Sequence, residues 1–308
     1  MKPLRKNVAI AIDGGGIKGV MVTKALSMLE EHLGKTCSEV FTLAAGTSTG
    51  SIISAGIGAR MSAAQMHELY RQLGDKIFKK TWRYYLWLLA RYKYPNSALI
   101  QALQDALGEI TMGDFWKSES RIDVVITVRD LAENRTRFIK PWKEEYQDWK
   151  VWYAVLASCT VPTYFPVVEG RYVDGGVGSY SNPCYIAAYE AALCLNWDPR
   201  ETTLLSFGTG RVRSHMQPYQ ADKLFPWQWL GPLLDTFLSD ASDQQVRVVQ
   251  EFFEELDFRR FQVDTEPIEM DDPSKLDQLT AYGQKLGEMV LSDEMDAYAI
   301  RPPKTVGA

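Results

Sequence analysis

Near its start the sequence twice runs an apolar stretch into a glycine-rich turn and then into a helical repeat. Residues 8–12, VAIAI, are β-branched and small; they predict a buried parallel strand that ends in Asp13-Gly14-Gly15-Gly16. Val22, Leu26, Leu29 and Leu33 then recur at spacings of 4, 3 and 4, the period of an amphipathic helix that Gly34 would stop. Val40 to Ala45 predicts a second strand, Gly46-Thr47-Ser48-Thr49-Gly50 a sharp turn, and Ser51 to Ala59 a helix of small residues. Strands apolar on both faces have to be covered on both sides, so the pattern points to a parallel sheet between layers of helices.

The remainder extends that pattern. A polar helix is expected around 62–75, strands at 122–128 and Thr136 to Ile139, and a helix near 149–157. A short strand at 171–173 delivers Asp174-Gly175-Gly176, and the strand Thr203 to Phe207 ends in Gly208-Thr209-Gly210. The Pro- and Trp-rich stretch 217–232 reads as a loop, followed by helices at 233–255 and 274–291. Alternating strands and helices define the α/β class: a three-layer α/β/α sandwich around a central, mostly parallel sheet. The expected organisation is a core over 7–210 and a mostly helical extension, 211–308, packed on the same domain. With 308 residues and 46% hydrophobic content, one large core can close.

Three chemistries compete for the two glycine turns. Gly14-x-Gly16-x-x-Gly19 fits the dinucleotide fingerprint as written, yet the second strand ends without the carboxylate that would hold a ribose. The phosphate loop of a sugar kinase needs a strand after its glycines, where this sequence has helical period. A nucleotide-binding protein is therefore the weaker alternative. In the third reading Ser48 sits at the centre of G-x-S-x-G, a strand-to-helix elbow that presents a hydroxyl nucleophile. Gly14, Gly15 and Gly16 at a helix start would then supply unobstructed N–H groups to an oxyanion. For the base, Ser48, Asp174 and His215 follow the order of an α/β-hydrolase triad, but only one strand precedes the strand that carries Ser48. His215 also lies among Arg211, Arg213 and Gln217. A direct Ser48–Asp174 dyad is preferred, because Gly175 and Gly176 let the Asp174 backbone come close to the serine.

These residues resemble the patatin-like phospholipases. Carrying the resemblance are Asp13-Gly14-Gly15-Gly16-Ile17-Lys18-Gly19, Gly46-Thr47-Ser48-Thr49-Gly50, Asp174-Gly175-Gly176, and the segments Ala157 to Pro166 and Leu204 to Gly210, all in family order. The resemblance implies a lipid acyl hydrolase of phospholipase A type with Ser48 as nucleophile, Asp174 as general base and Gly14 to Gly16 as oxyanion hole. Lys18 stands where the family has Arg or Lys, suiting it to a lipid phosphate or to bracing the loop. A free Asp, with a pKa of about 3.9, is a weak base at neutral pH, so Asp174 is expected to be buried and loosely hydrogen-bonded. The cycle calls for no cofactor, and neither a calcium loop nor zinc-ligand spacing is present in the sequence.

Composition limits the partners. The formal charge of −5 disfavours nucleic acid. Between Asp75 and Asp105, however, there is no acidic residue, while Lys76, Lys79, Lys80, Arg83, Arg91 and Lys93 alternate with aromatic side chains that include Trp82 and Trp87. Rings beside cations suit a bilayer interface, and the loop bearing Trp227 and Trp229 is a second candidate contact. Partners are thus an acyl lipid substrate and a transient membrane surface, with a homo-oligomer left open. A catalytically silent membrane-binding module is the remaining alternative. Cys37, Cys159, Cys184 and Cys194 form no C-x-x-C pair, and the apolar run at the N-terminus is too short for a secretion signal. The expected location is cytoplasmic, peripheral at a membrane.

Overall fold

The strand VAIAI lies in the middle of the sheet, and its alternation decides what packs on each face. The computed structural model of the protein describes residues 1–117, 121–212, 219, 221–225 and 230–297. Its strands are β1 (Asn7–Ile12), β2 (Leu43–Thr47), β3 (Asp123–Asp130), β4 (Arg135–Ile139), β5 (Tyr172–Asp174), β6 (Thr202–Phe207), β7 (Arg211–Val212), β8 (Asp257–Phe261) and β9 (Asp264–Thr265). The central sheet has the order β4-β3-β2-β1-β6-β8, with β5 added against β3, while β7 and β9 form a separate pair. β1, β2, β3, β6 and β8 run parallel, and β4 and β5 run antiparallel to β3.

The helices are α1 (Gly19–Leu33), α2 (Cys37–Val40), α3 (Thr49–Gly58), α4 (Ala63–Ile77), α5 (Trp82–Tyr85), α6 (Trp87–Ala90), α7 (Ser97–Leu107), α8 (Asp114–Lys117), α9 (Val151–Cys159), α10 (Cys184–Tyr189), α11 (Leu230–Phe252) and α12 (Leu276–Ser292). Val8, Ile10 and Ile12 of β1 face a core built with α1, α3 and α12, while Ala9 and Ala11 face α10 and α11. The smaller alanine face lets the second helix layer approach closely, and the result is the expected three-layer α/β/α sandwich.

Strand register places the functional turns side by side. Ile12 pairs with Gly46 on one side and with Phe207 on the other, so the glycine loop, the serine turn and Gly208-Thr209-Gly210 leave the same edge. In open α/β sheets that carboxyl edge is where ligands bind.

Several boundaries differ from expectation. Val40 belongs to the single turn α2, headed by Thr36, whose N–H donates to the Glu39 carboxylate at 2.7 Å; the strand begins only at Leu43. Thr-x-x-Glu is a helix-start signature, and it outweighs the β-propensity of one valine. The aromatic, basic stretch 76–94 holds two single turns, α5 and α6. The sequence pattern predicts no strand after Phe207, yet β8 (DFRRF) joins the sheet edge beside β6. Its adjacent arginines conceal the alternation, because Arg259 and Arg260 are both buried against aspartates. His215, Trp227 and Trp229 lie outside the described residues, as does the side chain of Trp87.

Candidate active site

Ser48 occupies the single position between the last residue of β2 and the first of α3, with φ 53° and ψ −125°. A side chain rarely adopts such a backbone, so the turn holds strain. The glycine spacing follows from the close approach of α3 to the sheet. A Cβ on Gly50 would lie 2.1 Å from the Ile12 carbonyl oxygen, and one on Gly46 would lie 2.1 Å from that of Gly50. The Ser48 N–H donates to Ser158 Oγ of α9 at 2.9 Å, which fixes the elbow from the far side. Ser158 fell inside a segment singled out in the sequence, but nothing there assigned it this role. Thr49 Oγ1 bonds the Tyr70 hydroxyl of α4, which also donates to the Thr49 carbonyl at 3.1 Å, and Gly19 packs on the same two side chains.

Asp174 ends β5, where its N–H donates to the Thr160 carbonyl at 3.1 Å. It is 4% exposed, and Ser48 is 6% exposed. Oδ1 accepts the Gly176 N–H at 2.8 Å, while Oδ2 is buried with no hydrogen-bond partner of ordinary length among the described residues. Burial pushes the Asp174 carboxyl up to about 6, and the nearby Ser48 hydroxyl and the Gly176 N–H offset only part of that rise. Gly175 lies against Thr127 of β3, and the two glycines open the turn that places the carboxylate.

Ion pairing and hydrogen bonds from distant segments hold the glycine loop. The Asp13 carboxylate accepts two bonds from Arg260 of β8, Nη1 to Oδ1 at 2.8 Å and Nη2 to Oδ2 at 2.5 Å. Thr209 Oγ1 donates to the Gly14 carbonyl at 2.5 Å. Gly14 departs from its expected part, because its N–H donates to the Ser181 carbonyl at 2.8 Å and is not free for an oxyanion. The N–H groups of Gly15 and Gly16 have no acceptor among the described residues. Gly16 has φ +60°, and a Cβ there would lie 2.4 Å from the Met270 carbonyl oxygen, which accepts the Ile17 N–H at 2.9 Å. Lys18 is half-buried in the following turn. Arg260 and Met270 had no signal in the sequence, since both contacts come from segments remote from the motifs.

Gly16, Ser48 and Thr49 form the polar end of a cleft of about 750 Å³, solvent at its mouth included. The walls are apolar: Ile52 of α3, Leu69 and Ile77 of α4, Leu99 and Leu103 of α7, and Phe165 beyond α9. Among the described residues no group of His, Cys, Asp or Glu side chains is arranged to hold a metal ion, and no helix is long and apolar enough to cross a membrane. Trp82 is exposed on α5 and is not among the side chains that line the cleft.

Fold and site define a three-layer α/β chain that carries a serine elbow and a glycine loop on the carboxyl edge of its sheet. Residues 10–188 match the family model described as patatin-like phospholipase, and the protein belongs to that family. It is 31% identical over 219 residues to the intracellular phospholipase A2 of Caenorhabditis elegans, covering 67% of this chain and 20% of that protein. It is 27% identical over 245 residues to a cGAMP-activated phospholipase of Pseudomonas aeruginosa, covering 75% and 70%. The crystal structure of VipD from Legionella pneumophila shares the fold at a TM-score of 0.50 and 12% identity, over 94% of this chain and 67% of that one. The chain spans 20% of the length of the worm protein and 38% of a rat calcium-independent phospholipase A2-gamma.

Proposed function

We propose that the protein is a lipid acyl hydrolase of phospholipase A type, acting through a Ser48–Asp174 dyad and an acyl-enzyme. The observation that carries this reading is the buried Asp174 carboxyl, whose rise in pKa the Ser48 hydroxyl beside it partly offsets, together with a strained Ser48 at the head of an apolar cleft. Ser48 Oγ attacks the ester carbonyl carbon while its proton passes to Asp174. The carbonyl oxygen, now an oxyanion, accepts from the free N–H groups of Gly15 and Gly16. Collapse breaks the ester bond, and Asp174 returns the proton to the departing alcohol oxygen, releasing lysolipid. Water deprotonated by Asp174 then attacks the acyl-Ser48 carbonyl, frees the fatty acid and restores the serine. A carboxylate whose pKa lies near 6 is a far better base at neutral pH than one near 4.

Substrate class follows from the walls. Aliphatic and aromatic side chains around Ser48 suit an acyl chain and offer little to a nucleotide phosphate or base. Lipid relatives are consistent with this reading, as are the names phospholipase A2 and cGAMP-activated phospholipase that two of them carry. The experiment is mass-spectrometric detection of free fatty acid and lysolipid from mixed phospholipid vesicles, with EDTA throughout. Release by the parent that falls about 10⁴-fold or more in Ser48→Ala is the expected result. Equal release from both proteins, or none from either, overturns the assignment.

A further inference from the structure

The exposed apolar side chains of α5 and α6 lie together: Trp82 is 59% exposed, Tyr85 72%, Leu86 52% and Leu89 81%. None of the four lines the cleft, yet the segment is fastened to its rim. Just beyond α6, the N–H groups of Lys93 and Tyr94 donate to the carbonyls of Thr163 and Tyr164, each at 2.8 Å. The Tyr94 ring packs edge-on against Phe78 at 5.5 Å and at a tilt against Phe165 at 5.9 Å, and both phenylalanines are cleft walls. The apolar turns are thereby tied to side chains that line the cleft.

Charge identifies what covers them. Lys76, Lys79, Lys80 and Arg91 are exposed, and Arg83 lies between the rings of Trp82 and Tyr92, 4.8 Å from each. Among the described residues no carboxylate pairs with any of these five cations, although the chain as a whole carries −5. Apolar tips surrounded by unpaired cations match a layer whose interior is hydrocarbon and whose surface is anionic.

We propose that α5 and α6 form a docking face for an anionic phospholipid bilayer, which seats the cleft mouth against the lipid. The inference rests on the lipid hydrolase reading for what enters the cleft, but the binding itself does not depend on turnover. Leu86, Leu89, Trp82 and Tyr85 enter the headgroup boundary, and Lys79, Lys80 and Arg91 meet lipid phosphates. Docking is peripheral, in keeping with two single turns that bury only side chains.

The test is cosedimentation of full-length Ser48→Ala protein, so that vesicles stay intact, with pure phosphatidylcholine vesicles and with vesicles containing about one quarter phosphatidylglycerol. Binding to the anionic vesicles alone is expected. Leu89→Asp abolishes it, and Lys79→Gln/Lys80→Gln lowers the partition roughly twenty-five-fold, from about fivefold per lysine. In the Ser48 background, Leu89→Asp leaves hydrolysis of a soluble short-chain ester unchanged, and far-ultraviolet circular dichroism confirms that the variants fold. Binding to both vesicle types alike, binding to neither, or variants that bind as the parent does overturns the docking face. A fall from dimer to monomer in Leu89→Asp with vesicle binding intact overturns it in favour of contact between copies. Patch-dependent binding without any ester hydrolysis by the parent would instead refute the catalytic reading and leave the docking face standing.

Discussion

At the scale of single residues, burial of Asp174 affects both rate and stability. Its carboxyl titrates near 6 in the folded chain and near 3.9 in the unfolded one. In the proposed dyad the base form is needed for turnover, so kcat/KM should fall about tenfold per pH unit below 6 and level off above it, as a pH profile on a soluble ester will show. Stability runs the other way. The folded state holds the proton more tightly, so the native chain is favoured at low pH and loses that advantage as pH rises from about 4 through 6. Asp174→Asn should therefore stabilise the protein by up to about 3 kcal/mol at pH 8 and hardly at all at pH 4, measured by urea unfolding at both values. No gain at pH 8 would mean that the carboxylate is not destabilised by its surroundings. Ser48 offers a second comparison. Ser48→Ala and Ser48→Gly both remove the hydroxyl, but only glycine relaxes a φ of 53°. The glycine variant should be the more stable by about 1 kcal/mol, and equal midpoints would show that the elbow stores no strain.

At the scale of elements, the active edge depends on a strand that the sequence does not announce. β1, β2 and the two glycine turns were legible because apolar runs and glycine spacing are local signals, and the Ser48 elbow follows from them. Asp174 was legible as a carboxylate before two glycines, but its burial depends on β3 and β5, which meet only in the fold. Arg260 was not legible. In DFRRF the alternation is hidden by arginines whose charges are neutralised by Asp13, Asp257 and Asp293, all distant in sequence or on the strand itself. Gly14 shows the same limit, since its N–H looks free until the Ser181 carbonyl is placed against it. Arg260→Met should cost about 3–5 kcal/mol, because it leaves Asp13 buried without a counter-charge, and Asp13→Asn in that background should recover part of the loss. Chemical denaturation of the two variants measures both. A change under 1 kcal/mol for Arg260→Met would show that Asp13 is held by other means. Turnover should fall with the first substitution if, as proposed, the loop headed by Asp13 offers its Gly15 and Gly16 N–H groups to the oxyanion.

For the whole molecule, the question is whether the part that matches the family stands alone. The matched region ends at residue 188, but α12 lies along α1, and Leu279, Leu286 and Val290 share one core with Met21, Leu26 and Leu29. Separating those six side chains would expose apolar surface worth on the order of 10 kcal/mol, comparable with the roughly 5–15 kcal/mol that holds a typical domain folded. The same cut removes Arg260 from Asp13 and Met270 from the Ile17 N–H, so the loop beside Ser48 would lose its ion pair and its brace together. We therefore expect the segments before and after Gly210 to unfold as one unit. Urea unfolding of the full chain followed by tryptophan fluorescence and by far-ultraviolet circular dichroism should give a single coincident transition, and a chain ending at Gly210 should show none. Two separated transitions, or a truncated chain that unfolds cooperatively at the parent midpoint, would make the C-terminal third an independent addition. That outcome would also leave the distant contacts to Asp13 and Ile17 unnecessary for the active edge, which the geometry of Arg260 and Met270 argues against.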